Sequence, residues 1–114
     1  MFKILLPEAI IRVRFLLPEE GGRKSNIIIK WISGMQTGYG CPMRICGDLH
    51  DFRTLISKDT TYTLGDTYDL YVKFLYPELV LSKLCEGLEI ELWEGKTIAH
   101  GIVLEIMRDR GREG

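Results

Sequence analysis

Tyr68-Asp69-Leu70-Tyr71-Val72-Lys73-Phe74 decides the fold class. Tyr68, Leu70, Val72 and Phe74 fall on one side of a period of two, and Asp69, Tyr71 and Lys73 on the other. An extended strand, whose successive side chains point to opposite faces, is the element that sorts them this way. The same period runs upstream through Ile11-Arg12-Val13-Arg14-Phe15-Leu16-Leu17 until Pro18, which has no N–H to give to a ladder. Downstream, Leu88, Ile90 and Leu92 alternate with Glu89, Glu91 and Trp93, and Glu94-Gly95-Lys96 reads as a hairpin turn. In the last segment Ile98, His100, Ile102, Leu104 and Ile106 form one expected face, opposite Ala99, Gly101, Val103 and Glu105.

The intervening segments are less regular. Residues 26–32, with three consecutive isoleucines and Trp31, read as a strand without clean alternation. Residues 33–40, with Gly34, Gly38 and Gly40, read as turn-like, and residues 42–46 and 52–57 as short strands with His50 and Asp51 between them. Gly65-Asp66 is a turn signal, and residues 77–84 make a turn or two of helix begun by Pro77. Six or seven antiparallel strands with almost no helix predict an all-β fold, a sandwich or a small closed barrel. Closure removes the unpaired strand edges that invite aggregation.

The 114 residues suit one domain, 1–114, with a core over about 10–107 and a polar tail at 108–114. Apolar residues make up 46% and charged residues 27%, which argues against wholesale disorder. Fifteen Lys and Arg against sixteen Asp and Glu leave a net charge of −1, so nucleic acid would have to be held by a local basic patch. Three cysteines are an odd and sparse set for a secreted disulfide scaffold. The first residues show no secretory leader, and no run approaches the length of a membrane span. The expectation is a soluble, cytoplasmic protein with no membrane partner.

Catalytic and cofactor chemistry finds little purchase. Gly22-Arg23-Lys24-Ser25 lacks the glycine before the lysine that a phosphate loop needs, and Pro18 stands at the other glycine position, so no nucleotide is expected. Cys41 and Cys46 have four residues between them, but His50, Cys85 and His100 do not complete a zinc pattern; no metal and no cofactor are expected. Glu89 and Glu91 read as a solvated face, and His100 as a packed or edge histidine. What remains is a cationic loop: Arg23, Lys24 and Lys96 are placed to meet at one end of a barrel and touch phosphates or an acidic partner.

Four stretches, in order, resemble the C-terminal barrel domain (domain 3) of translation elongation factor Tu. Leu17-Pro18-Glu19-Glu20-Gly21-Gly22-Arg23-Lys24-Ser25 resembles the loop after its first strand. Leu64-Gly65-Asp66 with the strand to Phe74, Tyr76-Pro77 followed by Glu86-Gly87-Leu88, and Trp93-Glu94-Gly95-Lys96-Thr97-Ile98-Ala99-His100-Gly101 follow at compatible spacing. The resemblance implies a six-stranded antiparallel closed β-barrel standing alone, without a GTPase domain. It implies a non-catalytic binding module of the translation apparatus, with Arg23, Lys24, Ser25, Gly95 and Lys96 as the partner- or RNA-binding residues. Tyr76 stands where the family has a lysine, the last turn is shortened to Gly95-Lys96, and Tyr39-Gly40-Cys41-Pro42 replaces Tyr-Arg-Pro-Gln, so tRNA contact is expected to be weak. Two other readings stay open: a decoy or immunity-like protein that mimics the barrel and captures a toxin-like protein, and an unrelated enzyme on the same barrel. Tyr71 and Trp93 are expected as exposed aromatic anchors.

Overall fold

The structure is a computed structural model that describes residues 4–107; the polar tail at 108–114 lies outside the described residues. The strands are β1 (Ala9–Phe15), β2 (Ile27–Ile29), β3 (Thr37–Ile45), β4 (Asp48–Leu55), β5 (Thr60–Tyr62), β6 (Thr67–Phe74), β7 (Glu89–Trp93) and β8 (Thr97–Ile106), with one short helix, α1 (Pro77–Val80). Six strands close into a barrel in the order β1-β6-β4-β3-β7-β8, all antiparallel, while β2 and β5 pair as a separate ribbon. This is the expected six-stranded closed barrel.

The two strongest alternations put their apolar residues inside as read, although β1 ends at Phe15, two residues short of Leu17. In β1, Ala9, Ile11, Val13 and Phe15 are fully buried, and Arg12 turns outward to an ion pair with Asp69 of β6 at 2.8 Å. In β6, Leu70, Val72 and Phe74 complete the same interior. Met43 and Ile45 of β3, Phe52 of β4 and Ile90 and Leu92 of β7 are buried with them. Apart from Thr54 of β4, which is buried too, the interior is packed with apolar side chains, and their removal from water is what holds the cylinder together.

β8 departs from its expected faces. Leu92 pairs with Ala99 but Trp93 with Thr97, which leaves Ile98 as an extra residue. Ile10 pairs with Glu105 but Ile11 with Val103, which leaves Leu104 extra. Each β-bulge shifts the inward-facing set by one residue. Ile98, Ala99 and Val103 are thus all buried, while His100 and Ile102 face outward. Gly101 lies where β8 presses on β1: a Cβ there would stand 2.1 Å from the Arg12 carbonyl oxygen.

β3 is the other correction. It begins at Thr37, so part of the expected turn at 33–40 is strand. Gly38 and Gly40 make room for side chains of β4 and of the residue after it, a Cβ at Gly38 standing 3.1 Å from Thr54 Oγ1 and 2.9 Å from Ile56 Cδ1, and neither has a positive φ. Pro42 is tolerated within the strand because β7 pairing starts only at Met43, so at Pro42 one ladder edge is open. The turn lies instead at Cys46-Gly47, where both residues have positive φ (50° and 90°), the arrangement of a type I′ hairpin. As a result His50 and Asp51 belong to β4.

The barrel's ends are closed differently. At one, the β2–β5 ribbon lays Tyr62 on Phe15, stacked at 5.5 Å, with Tyr68 edge-on to Tyr62 at 5.1 Å. At the other, α1 and the 3₁₀ turn Leu81–Lys83 bury Val80 and Leu84. There too the Met107 N–H donates to the Glu8 carbonyl at 2.9 Å.

Candidate binding surface at the Lys24–Lys96 end

The loop after β1 is built around its carboxylate and its glycines. Pro18–Glu20 forms a 3₁₀ turn, and the Glu20 carboxylate accepts the Leu17 N–H at 2.8 Å and Arg14 Nη1 at 3.0 Å. Those donors, the Leu17 N–H first, hold the Glu20 carboxyl below its usual pKa. Gly21 ends the turn at φ 92°, with its N–H on the Pro18 carbonyl at 3.0 Å. A Cβ at Gly22 would stand 2.3 Å from the Leu16 carbonyl oxygen. Glu20, Gly21 and Gly22 are therefore spent on shaping the loop.

Arg23 then crosses to the β7–β8 hairpin. Its Nη1 donates to both Glu94 carboxylate oxygens, at 2.6 and 2.8 Å, and its Nε to the Ser25 carbonyl at 3.2 Å. Tyr39 of β3 donates its hydroxyl to the same carboxylate. Burial, and then its contacts with Cys41 and Glu94, push the Tyr39 phenol far above its usual pKa, so it stays a donor. Burial also pushes the Cys41 thiol up to about 11. Arg23 and Glu94 are each little more than a quarter exposed, so the pair is shielded from full solvent screening.

This brace decides where the five expected residues lie. It joins the loop carrying Arg23, Lys24 and Ser25 to the turn carrying Gly95 and Lys96, so all five gather at one end of the barrel. Gly95 supplies the positive φ (74°) of that turn, closed by the Glu94 N–H on the Lys96 carbonyl at 2.8 Å. Asn26 Oδ1 pins the far end of the loop by accepting the Leu64 N–H at 3.0 Å. Lys24, Ser25, Gly95 and Lys96 are exposed, and among the described residues neither lysine has an ion pair. Arg23 differs: its guanidinium is engaged, and its work is to hold the two loops together. The arrangement thus offers two solvated ammonium groups on a rigid base, suited to phosphate or carboxylate contact.

Tyr39 and Glu94 were not among the expected site residues. Glu94 is 71 residues from Arg23, and no local spacing marks such a pairing. Trp93, expected as an exposed anchor, is half-buried, whereas Tyr71 is 49% exposed. His100 Nδ1 stands 3.5 Å from Glu91 on the outer face. Among the described residues, no three His, Cys, Asp or Glu side chains come together as a metal site, and no helix is long and apolar enough to cross a membrane. No known family matches the chain, and no curated protein matches it.

Proposed function

We propose that the chain is a non-catalytic binding module similar to the C-terminal barrel of elongation factor Tu, working through its outer surface in the translation apparatus. The observation that carries this reading is the Arg23–Glu94–Tyr39 brace on a filled barrel, which holds Lys24 and Lys96 out to solvent at one end. Two lysines on a chain of net charge −1 give weak, salt-sensitive contact with an RNA backbone. The three unpaired thiols suit a reducing compartment such as the cytoplasm.

The test is tRNA binding by fluorescence anisotropy over a salt series, with Lys24→Ala combined with Lys96→Ala. The double variant leaves the brace intact. Its expected effect is weaker binding and a slope of log K against log salt reduced by about 1 for each phosphate that the lysines no longer neutralise. An unchanged slope rejects this end as the RNA contact.

A second reading, capture of a protein by mimicry, is favoured by a different observation. Leu75, Tyr76 and Leu79 are 61%, 55% and 56% exposed at the α1 end. Neighbouring apolar side chains left in water mark protein contacts more often than solvated faces do. Competition by full-length elongation factor Tu for a partner of this chain supports mimicry, and a partner indifferent to the factor rejects it.

A further inference from the structure

Of the five arginines among the described residues, four are ion-paired: Arg12 with Asp69, Arg14 with Glu20, Arg23 with Glu94 and Arg44 with Glu91. Arg53, on the outer face of β4, has no such partner. It also has a cation beside it, because in the sheet register Arg53 lies between Gly40 of β3 and Lys73 of β6. Like charges on adjacent strands destabilise a sheet. Lys73 is relieved by Glu8 at 3.2 Å. Arg53 instead leans over Gly40, where a Cβ would stand 1.8 Å from its Nη1. Gly40 has no positive φ, so its missing side chain serves this space and not the backbone.

The next row of the sheet is Pro42, opposite Asp51, with the Leu75 N–H on the Asp51 carbonyl at 3.0 Å. Together the two rows floor a groove of about 490 Å³, walled by Leu5 of the N-terminal segment and by Leu75. This volume lies within the range of small-ligand pockets. Two further grooves lack its combination. In the one of about 540 Å³, Arg44 is committed to Glu91; the one of about 330 Å³ has no charged residue in its lining.

We propose that this groove is a binding site for a small organic monocarboxylate with an apolar body. The carboxylate pairs with the Arg53 guanidinium, whose planar fork matches its two oxygens. The hydrocarbon part lies against Leu5, Pro42 and Leu75. Asp51 on the same face disfavours a second negative charge, and inorganic phosphate has no hydrocarbon to lay on the apolar wall, so a monocarboxylate is favoured over dianions and phosphate. The site is separate from the Lys24–Lys96 end, and neither assignment depends on the other.

The experiment is a titration of the full chain with sodium octanoate, read by amide chemical shifts, with octanol and inorganic phosphate as controls. The expected result is saturable shifts centred on Gly40, residues 51–53 and residues 73–75, with weaker binding of octanol and of phosphate. Arg53→Gln, an exposed change that also removes a like-charge neighbour, is expected to weaken octanoate binding about tenfold or more. Gly40→Ala, whose Cβ would displace the Arg53 side chain from its Cδ outward, is expected to weaken it while Lys24→Ala does not. Equal affinity in Arg53→Gln, shifts centred elsewhere, absence of saturable octanoate binding, or phosphate binding equal to that of octanoate overturns the proposal.

Discussion

The two ends of the barrel solve the same problem by opposite means. At the Lys24–Lys96 end, polar bonds between distant segments do the closing: Arg23 to Glu94, Tyr39 to Glu94, and Leu64 to Asn26, over an aromatic stack of Phe15, Tyr62 and Tyr68. At the α1 end, Val80 and Leu84 plug the opening, and Leu75, Tyr76 and Leu79 stay in water. Glu8 provides the polar tie there, accepting the Phe74 N–H at 2.8 Å and facing Lys73. A polar brace fixes geometry, because its partners must meet at set distances and angles. An apolar plug requires only volume and burial. The braced end is accordingly suited to holding two charges in place, and the plugged end to adhesion.

The largest expected effect tests whether the aromatic stack carries the braced end. Phe15→Ala is expected to cost about 3–5 kcal/mol of unfolding free energy in urea. A loss below that of Leu84→Ala, for which about 2–5 kcal/mol is the expectation, would reverse the comparison. Next comes alkaline pH. The Cys41 thiol has its pKa raised to about 11 by burial, so the folded state holds a proton that the unfolded state releases near 9. Stability is then fully present below about 9 and falls by about 2–3 kcal/mol as pH rises through 11. Cys41→Ala is expected to flatten that fall in pH-dependent urea melts; an unchanged slope would place the titrating group elsewhere.

Arg23→Ala comes third. It leaves a partly buried carboxylate with Tyr39 as its remaining side-chain donor, and about 1–2 kcal/mol of stability is expected to be lost, with faster hydrogen exchange at the Gly95 turn. Slower exchange, or none of that loss, would mean that the loops hold together without the brace. On the acid side, Glu20 and Asp69 both have lowered pKa values, from the Leu17 N–H and Arg14 in one case and from Arg12 in the other. Their contribution is present above the usual carboxylate range and is lost as pH falls through it. Both are solvent-exposed, so a small decline is expected in acid melts, reduced by Arg12→Ala. The smallest effect belongs to Lys24→Ala with Lys96→Ala, within about 0.5 kcal/mol of the parent in the same melts. A larger loss would make these lysines part of the brace.

How much of this was legible in the sequence depends on the period of the hydrophobic pattern. β1, β6 and β7 alternate without interruption, and their inward faces could be read directly. β8 could not, because the bulges at Ile98 and Leu104 restore its starting phase after shifting the middle, so both ends looked consistent with one wrong face. β3 was hidden by Gly38, Gly40 and Pro42, residues that locally signal turns but here answer to β4 side chains and an open ladder edge. The five expected binding residues do gather at one end, yet the reason, Glu94 reaching back to Arg23, is a contact between residues far apart in the chain. Arg53 carried no signal either, since its isolation is defined by what its neighbours are already bonded to.

The hydrogen bond from Met107 to the Glu8 carbonyl sets the start of β1 beside the end of β8. Entry to and exit from the cylinder are thus adjacent. A few glycines joining these points, with new ends opened at the two-residue turn Cys46-Gly47, give a rewired connectivity that keeps every strand neighbour. Equally, the whole cylinder can be spliced into a surface loop of an unrelated carrier protein without stretching either one.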